Sequence, residues 1–321
     1  MRILITGITG FVGSHLAEYC LNIPGVEVYG TVFSHHLGDE LKRVEHIKDK
    51  ISLLECNLMN RIAVQRVLEK VKPDKIFHLA AQSFVPTSWQ SPEDTIINNI
   101  MSELNIFEAA REVGINPVIQ IACSSEEYGL VNENELPVKE DNILRPLSPY
   151  AVSKVAQDAL ACQYHYSYGL KTVVTRAFNH EGPRRGEQFV TSNFAKQIVE
   201  IEKAKKEPII YVGNLEAKRD YLDVRDVIDA YWLATEKCNF GEPYNICSGK
   251  SWSIKSVLDL LLSKSAEKNI QIKQDPERMR PSDVPLLLGD CSKFKKQTGW
   301  EPKISFEKTL EDTLNYWREN V

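Results

Sequence analysis

The feature that most restricts the fold is a regular alternation of apolar, strand-like runs with helix-like segments through the first part of the chain. The runs are nearly continuous in apolar and β-branched residues, as expected when helices cover both faces of a parallel sheet. They occupy 2–6, 27–33, 51–57, 75–81, 116–124 and 171–179, and the helix-like segments between them occupy 12–22, 62–71, 98–114 and 149–169. This alternation predicts an α/β fold with a doubly wound parallel sheet.

After about residue 180 the alternation loosens into separate helices joined by loops such as "DPERMRPSDVPLLLGD". We expect a first domain over 1–178 and a smaller C-terminal α/β lobe over 179–321, partly interleaved with the first. The lobe would cover the carboxyl edge of the sheet, where open α/β sheets bind their ligands.

Composition excludes several classes of protein. The 321 residues carry a formal net charge of −5, whereas a nucleic-acid binder normally presents a basic face. The seven cysteines form no CxxC pair and have no histidine at metal-ligand spacing, so we expect no metal site and a reducing compartment. No apolar run approaches the ~18 residues that span a bilayer, and the chain begins directly as a strand, so we expect a cytoplasmic protein without a membrane partner.

A glycine-rich turn joins the first strand to the first helix. In "ITGITGFVGSHL", Gly7, Gly10 and Gly13 have the spacing G-x-x-G-x-x-G. Glycines at this place allow a tight turn and let the backbone approach a pyrophosphate at a helix N-terminus. The turn predicts a Rossmann-type dinucleotide site, and we take 1–178 as the dinucleotide-binding domain.

The end of the second strand bears on which dinucleotide binds. An acid there would accept the ribose 2′-hydroxyl of NAD, but residues 32–34 of "TVFSHH" include none. Ser34, the histidines at 35–36 or the basic pair 42–43 can instead meet a 2′-phosphate. The alternative is that the histidines only occupy an exposed loop. We predict NADP, with NAD as the alternative.

Two further motifs predict the chemistry. Tyr150 and Lys154 in "SPYAVSK" are four residues apart at a helix start, so they share one face, and a nearby ammonium favours the phenolate that acts as a base. The string "ACSSEEYG" (122–129) ends the strand before that helix and supplies Ser124 and Glu126. Taken alone it would be a polar surface turn.

With these motifs the whole chain resembles the extended short-chain dehydrogenase/reductase family of nucleotide-sugar enzymes. The resemblance implies that Ser124 hydrogen-bonds the substrate hydroxyl at carbon 4 and that Tyr150 is the base. Lys154 would lower the pKa of Tyr150 and hold the nicotinamide ribose. The cofactor-binding residues implied are Gly7, Gly10, Phe11, Val12, Gly13, Ser34, Asn57, Leu58, Leu79, Ala80, Ala81, Tyr150 and Lys154.

The segments 79–89, 178–191, 213–220 and 280–290 narrow the resemblance to the GDP-mannose 4,6-dehydratase branch and its GDP-4-keto-6-deoxy-mannose reductase relatives. The implied substrate-binding residues are Ser83 for the sugar, Asn179 for the diphosphate, and Arg185, Lys196, Arg219 and Arg280 for the GDP part. A diphosphate requires several cations, and arginine offers bidentate donors. For each arginine the alternative is a surface ion pair.

Glu126 bears on the choice within that branch. A 4,6-dehydratase oxidises carbon 4, removes the carbon-5 hydrogen with a carboxylate and returns the hydride to carbon 6, whereas a ketone reductase needs only Ser, Tyr and Lys. Glu126 stands at the dehydratase's glutamate position and favours dehydration. Against this, dehydratases normally have threonine at Ser124, and "SSEEYG" also occurs in the reductase branch.

We therefore predict a GDP-sugar 4,6-dehydratase of the GDP-mannose type, with NADP regenerated in each cycle. The alternatives are the NAD(P)H-dependent reductase and a non-catalytic dinucleotide-binding protein. The sugar itself stays open between mannose, a heptose and an N-acetylhexosamine. The resemblance implies a homodimer formed through 95–113 and 150–169. A homotetramer is the alternative, although "SHHLGDEL" replaces the basic loop through which such dehydratases reach a neighbouring subunit.

Overall fold

A seven-stranded parallel sheet organises the computed structural model, which describes residues 1–33, 41–278 and 284–321. The strand order is β10-β6-β5-β4-β1-β2-β3, and every neighbouring pair runs parallel. The strands of this sheet are β1 Arg2–Thr6, β2 Glu27–Val32, β3 Ser52–Glu55, β4 Lys75–His78, β5 Val118–Ser124, β6 Lys171–Ala177 and β10 Pro243–Ile246. The predicted doubly wound α/β sheet is confirmed.

Helices lie on both faces of this sheet and in the C-terminal lobe. Those in the described part of the chain are α1 Phe11–Leu21, α2 Arg61–Val71, α3 Val85–Gln90, α4 Pro92–Val113, α5 Pro149–Tyr168, α6 Val190–Glu202, α7 Val224–Lys237, α8 Ile254–Ser263, α9 Ser292–Thr298 and α10 Phe306–Asn320. Short 3-10 turns occur at Glu45–Lys50, Ser125–Glu127, Glu133–Glu135 and Pro276–Arg278.

The strand order reverses between β1 and β4, and this reversal creates the ligand crevice. From β1 the chain proceeds outward to β2 and β3, and it returns through β4 to build the other half of the sheet. The loops that follow β1 and β4 therefore diverge at the carboxyl edge and leave a gap between them. Open α/β sheets bind ligands at this switch point.

Two hydrophobic cores cover the two faces of the sheet. On one face, Leu16 of α1 packs in one cluster with Val227 of α7 and Phe294 of α9. On the other, Leu68 of α2 and Phe107 of α4 pack with the sheet and α5. The first core thus joins residues from both halves of the chain.

Smaller sheets and a third core build the lobe near the carboxyl edge. Strands β7 Asn179–Glu181, β11 Ser251–Ser253 and β13 Leu286–Leu287 all pair with β9 Lys218–Asp223, and β8 Ile209–Val212 pairs with β12 Gln271–Gln274. Helices α6, α8 and α10 pack against them around a separate core. Within the described ranges no helix combines the length and apolar character required to cross a bilayer.

Candidate active site

A cavity of about 1350 Å³ opens at the switch point and extends under the lobe. The glycine turn, the ends of β4 and β5, the start of α5 and residues of the lobe all line it. This volume is larger than a typical single-ligand pocket, so the cavity has room for two extended ligands.

The glycine turn brings the backbone of α1 against the end of β1. A side-chain carbon at Gly13 would lie 2.3 Å from the backbone oxygen of Gly7, and one at Gly7 would lie 3.0 Å from Cα of Ala80. Gly7 also has φ +68°, a conformation that favours glycine. Only glycine lets the helix begin this close to the turn.

Helix α1 is therefore presented to the cavity with its N-terminus open. Its N-cap Gly10 offers no side-chain cap, so the first N–H groups point to the cavity without such a partner. Phe11 and Val12 line the cavity beside them. These features fit a dinucleotide pyrophosphate, which binds at a helix N-terminus.

The remaining predicted cofactor residues lie along the same side of the cavity. Thr6 Oγ1 accepts hydrogen bonds from the N–H groups of Leu79 and Ala80 at 3.1 and 3.2 Å and fixes the loop after β4. Among the residues predicted from the sequence, the cavity lining includes Asn57, Leu58, Leu79, Ala80 and Ala81. Ser34 lies outside the described residues.

The turn after β5 directs the side chains of two adjacent glutamates, Glu126 and Glu127, to different places. Ser124 Oγ accepts a hydrogen bond from the N–H of Glu126 at 3.2 Å, and Oε1 of Glu127 accepts one from the N–H of Ser124 at 2.9 Å. This reciprocal capping box turns Glu127 into the protein interior, fully buried. Glu126 stays half-buried and lines the cavity with Ser124.

Helix α5 places Tyr150 and Lys154 against the same end of β5. Ser148 caps the helix by accepting a hydrogen bond from the N–H of Ala151 at 3.1 Å, and Pro149 follows it. Tyr150 and Lys154 both line the cavity, and Lys154 Nζ lies 5.9 Å from the ring centroid of Tyr150. The local sequence thus positions both side chains by helix start and spacing alone.

The sequence predicts that Lys154 lowers the pKa of Tyr150, but the surroundings of Tyr150 raise this pKa. Burial raises the pKa of Tyr150 well above its usual value, and a hydrogen bond with Ser124 opposes the rise. The ammonium of Lys154 points to the backbone oxygen of Ala122 and to Oε1 of Gln157, each at 2.8 Å. Burial also lowers the pKa of Lys154.

A buried ion cluster lies beneath these residues. Arg176 Nε is 2.7 Å from Asp158 Oδ2 and 3.4 Å from Glu127 Oε2. Burial and the neighbouring Asp158 raise the pKa of Glu127 to about 8. Cys123, Glu127 and Asp158 place donor atoms within 4.8 Å of one another, but the guanidinium of Arg176 lies against both carboxyls, so we assign no metal there.

The predicted substrate residues fall into different places. Ser83, Asn179, Arg185 and Arg219 line the cavity. Lys196 instead forms ion pairs with Glu187 and, at 3.8 Å, with Glu200, and it is not part of the described cavity lining. Arg280 lies outside the described residues.

Arg185 is held in an aromatic setting. Its guanidinium lies 3.4 Å from the ring centroid of Phe189 and 4.9 Å from that of Phe11, and its Nε is 3.6 Å from Glu181 Oε2. Burial lowers its pKa. Arg185 therefore brings a fixed positive charge to the cavity wall between the two halves of the chain.

A model of the family described as GDP-mannose 4,6 dehydratase matches residues 4–313. The chain belongs to the GDP-mannose 4,6-dehydratase family. The predicted resemblance is thereby confirmed, and so is the fold of the short-chain dehydrogenase/reductase class.

Individual relatives divide between two activities. A GDP-6-deoxy-D-mannose reductase of Pseudomonas aeruginosa is 32% identical over 100% of this chain and 98% of its own length. A GDP-mannose 4,6-dehydratase of Vibrio cholerae is 33% identical over 97% and 92%, and one of Arabidopsis thaliana is 33% identical over 96% and 87%.

Solved structures show the same fold with a bound dinucleotide. The Pseudomonas aeruginosa RMD complexed with NADPH superposes with a TM-score of 0.85 at 30% identity, covering 100% of this chain and 99% of that one. A UDP-glucose 4-epimerase of Thermus thermophilus complexed with NAD superposes with a TM-score of 0.86 at 29% identity, covering 100% of both chains.

Several cavity residues escaped the sequence analysis. Phe84 and Phe189 form an edge-to-face pair at 5.5 Å, and Arg278 donates a hydrogen bond to Asn193 Oδ1 at 2.8 Å on the cavity wall. His180 stacks on Phe11, and burial lowers its pKa to about 4. The string "DPERMRP" points to basic residues near this place, but nothing in it separates Arg278 from Arg280. No local sequence pattern indicates the pair formed by Phe84 and Phe189.

Proposed function

We propose that this protein is a GDP-sugar 4,6-dehydratase of the GDP-mannose type, a lyase of nucleotide-sugar metabolism. The observation that carries the proposal is the placement of Glu126. Its carboxylate lines the same cavity as Ser124 and Tyr150, whereas the adjacent Glu127 is turned into the ion cluster. The chemistry of a simple ketone reductase does not use this additional carboxylate, although the string "SSEEYG" also occurs in the reductase branch.

The cofactor is a nicotinamide dinucleotide, which supplies the hydride acceptor at carbon 4 and the hydride donor at carbon 6. The glycine turn and α1 would hold its pyrophosphate, and Lys154 its nicotinamide ribose. We propose NADP over NAD because residues 32–33 offer no acid and Arg43 lines the cavity. Titration with NADPH and NADH in parallel tests the choice, and a clear preference for NADH would contradict it.

The chain's own residues then divide the proton transfers. Burial opposes the ionisation of Tyr150. Once it is ionised, its phenolate takes the proton of the carbon-4 hydroxyl while Ser124 donates a hydrogen bond to the same oxygen. The resulting ketone acidifies the carbon-5 hydrogen, which Glu126 removes. Glu126 then passes this proton to the departing carbon-6 hydroxyl, which leaves as water. As carbon 6 is reduced, carbon 5 takes up a proton from solvent by way of Glu126, and Tyr150 releases the proton that it took from the carbon-4 hydroxyl.

The positive charge in the cavity suits a nucleoside diphosphate sugar. We propose that Arg185 and Arg219, with Asn179, bind the GDP part and that Ser83 contacts the sugar. Guanidinium groups form strong charge-assisted bonds to phosphate. The same contacts with the diphosphate would accept a GDP-heptose or a GDP-N-acetylhexosamine, so GDP-mannose is the first substrate to test.

Incubation with GDP-mannose and bound cofactor but no added reductant tests the activity. A product lighter by one water supports the dehydratase. The reductase is the second candidate, because the Pseudomonas reductase matches nearly end to end. An unchanged GDP-mannose, together with NADPH-dependent reduction of GDP-4-keto-6-deoxy-mannose, would replace the dehydratase assignment with that reductase.

We also propose a homodimer formed by α4 and α5, rather than the homotetramer. Ile97 and Met101 on α4 are 52% and 37% exposed, and Val152 on α5 is 44% exposed. Apolar side chains exposed on two adjacent helices favour a partner helix pair. Sedimentation of Met101→Glu against the parent tests this, and a parent that sediments as a monomer would contradict it.

A further inference from the structure

Glu103 is a buried carboxyl in α4, directly behind the catalytic helix. Its exposed fraction is 0%, and among the described residues neither of its oxygens has a hydrogen-bond partner. A carboxylate buried in this way loses its hydration without full compensation. Burial accordingly raises the pKa of Glu103 well above its usual value. The reactions assigned above make no use of this group.

Gln157 connects Glu103 to the catalytic lysine. Oε1 of Gln157 accepts a hydrogen bond from Lys154 Nζ at 2.8 Å. Nε2 of the same amide likewise has no well-formed hydrogen bond in the described part of the chain, and it lies close enough to the Glu103 carboxyl to oppose the rise of its pKa. The order Tyr150, Lys154, Gln157, Glu103 thus runs from the cavity to the buried carboxyl.

Glu103 and Glu127 both act on the charge of Lys154, and within the described contacts Glu103 is the one of the two that forms no ion pair with Arg176. Arg176 pairs with Asp158 at 2.7 Å and approaches Glu127 at 3.4 Å. The group therefore contains three carboxyls, those of Glu103, Glu127 and Asp158, but two cations. With both cations charged, this group is electrically neutral when one of its three carboxyls is protonated. Loss of that proton makes every later proton loss less favourable.

The other titratable neighbours do not compensate these charges. His78 of β4 stays neutral, because burial and the nearby Lys154 lower its pKa to about 3. Cys123 of β5 also stays neutral, because burial raises its pKa well above the usual value. The charge state of Lys154 therefore depends on the three carboxyls and Arg176.

We propose that Glu103 is a positioning residue for the catalytic pair, a buried carboxyl whose negative charge, once its proton leaves, keeps Lys154 charged beneath Tyr150. The inference deepens the proposed function, because it assumes that Tyr150 and Lys154 act together. Glu103 would extend to higher pH the range in which the lysine ammonium can stabilise a phenolate.

Direct titration of Lys154 tests the proposal without substrate or turnover. The protein is labelled with [ε-13C]lysine, and the Lys154 signal is assigned by its loss in Lys154→Arg. Glu103→Gln removes the negative charge at constant shape, so the Lys154 midpoint should fall by about 1 pH unit or more. An unchanged midpoint would overturn the proposal, whether or not the protein is a dehydratase.

Two variants separate charge from packing. Glu108→Gln makes the same change on the same helix, where Glu108 accepts a hydrogen bond from Tyr164 at 2.7 Å, and it should leave the Lys154 midpoint unchanged. Glu103→Asp keeps a carboxyl and should restore most of the midpoint. A fall of the Lys154 midpoint in Glu103→Asp equal to that in Glu103→Gln would indicate a packing effect and contradict the proposal.

Turnover and the reciprocal variant give two further readouts. The alkaline limb of the kcat/KM profile should move to lower pH in Glu103→Gln, which a merely structural role would not produce. Should Glu103→Gln fail to fold, Lys154→Met tests the same coupling from the other side. The infrared band of a protonated buried carboxyl should then persist to higher pH than in the parent, and an unshifted band would overturn the proposal.

Discussion

At the scale of single residues, the clearest result is that two adjacent glutamates have opposite surroundings. Glu126 and Glu127 have the same type of side chain, but the capping box at Ser124 directs Glu127 inward and leaves Glu126 in the cavity. Backbone geometry therefore selects which carboxylate can meet a substrate. A sequence pattern identifies the turn, whereas the direction of each side chain depends on hydrogen bonds within it.

Substitution of Glu126 should stop the reaction after its first step. Glu126→Gln removes the proposed carbon-5 base but leaves Ser124 and Tyr150 intact, so reduced cofactor and a 4-keto sugar should accumulate with little 6-deoxy product. Removing a general base typically lowers the rate by ~10²–10⁴-fold. Tyr150→Phe should instead block oxidation at carbon 4, so no reduced cofactor should form. Absorbance at the reduced-nicotinamide band distinguishes the two.

The matched control for this pair is Glu133→Gln. Glu133 is an exposed glutamate in the next 3-10 turn, and its substitution should leave both steps unchanged. Heavy water gives a second readout, because the parent should incorporate deuterium at carbon 5 and Glu126→Gln should not. Normal turnover of GDP-mannose by Glu126→Gln is the result that contradicts the role of this residue.

Two basic residues of the lobe should differ in their effect on GDP binding. Arg219 lines the cavity, whereas Lys196 pairs with Glu187 away from the described lining. A charge-assisted hydrogen bond contributes about 1.5–3 kcal/mol, so Arg219→Ala should weaken GDP roughly ten- to hundredfold while Lys196→Ala has little effect. Calorimetric titration measures both. Equal losses of GDP affinity in the two variants would show that lining the cavity does not identify the residues that bind the nucleotide.

At the scale of elements, the turn from β1 to α1 depends on close backbone packing at Gly13. Gly13→Ala would place Cβ 2.3 Å from the oxygen of Gly7 and 2.8 Å from Cα of Ile8, both backbone atoms that cannot move alone. We expect the turn to open and NADPH affinity to fall by at least about tenfold. Fluorescence titration measures this loss.

Gly25→Ala is the control for that substitution. Gly25, unlike Gly13, has a left-handed φ of +73°, but an added Cβ would meet nothing within 4 Å. The change should therefore cost only the backbone strain of about 1–2 kcal/mol and leave cofactor affinity intact. NADPH binding by Gly13→Ala that equals the parent's would contradict the role of close packing at this turn.

Elements with a strong local pattern were predictable, and elements defined by distant partners were not. The predicted runs correspond to β1 to β6 within a few residues, because a buried parallel strand must be apolar along its length. Strand β10 escaped prediction, since four residues "PYNI" acquire their role only by pairing with β6. Tyr150 and Lys154 were readable from helical spacing, whereas the inward place of Glu103 depends on how α4 packs against α5.

At the scale of the whole molecule, the two halves of the sequence share one sheet and one core. Strand β10 from the second half pairs with β6, so Tyr244 lies opposite Thr175 and Ile246 opposite Ala177. We propose that the domains over 1–178 and 179–321 are functional regions of one folding unit. The cavity between them exists only where both halves are in place.

A fragment of residues 1–178 should therefore fail to fold as an independent dinucleotide-binding domain. It would leave β6 as an open edge and remove Val227, Tyr231, Phe294 and other apolar side chains from the core on that face. Each fully buried apolar side chain contributes about 1.5–3 kcal/mol, whereas a whole protein is stable by about 5–15 kcal/mol, so the loss exceeds what the fragment can tolerate. Circular dichroism should show no cooperative thermal transition for 1–178 alone. Co-expression with 179–321 should restore both the transition and NADPH binding. Cooperative melting and NADPH binding by 1–178 on its own would instead show two separable domains.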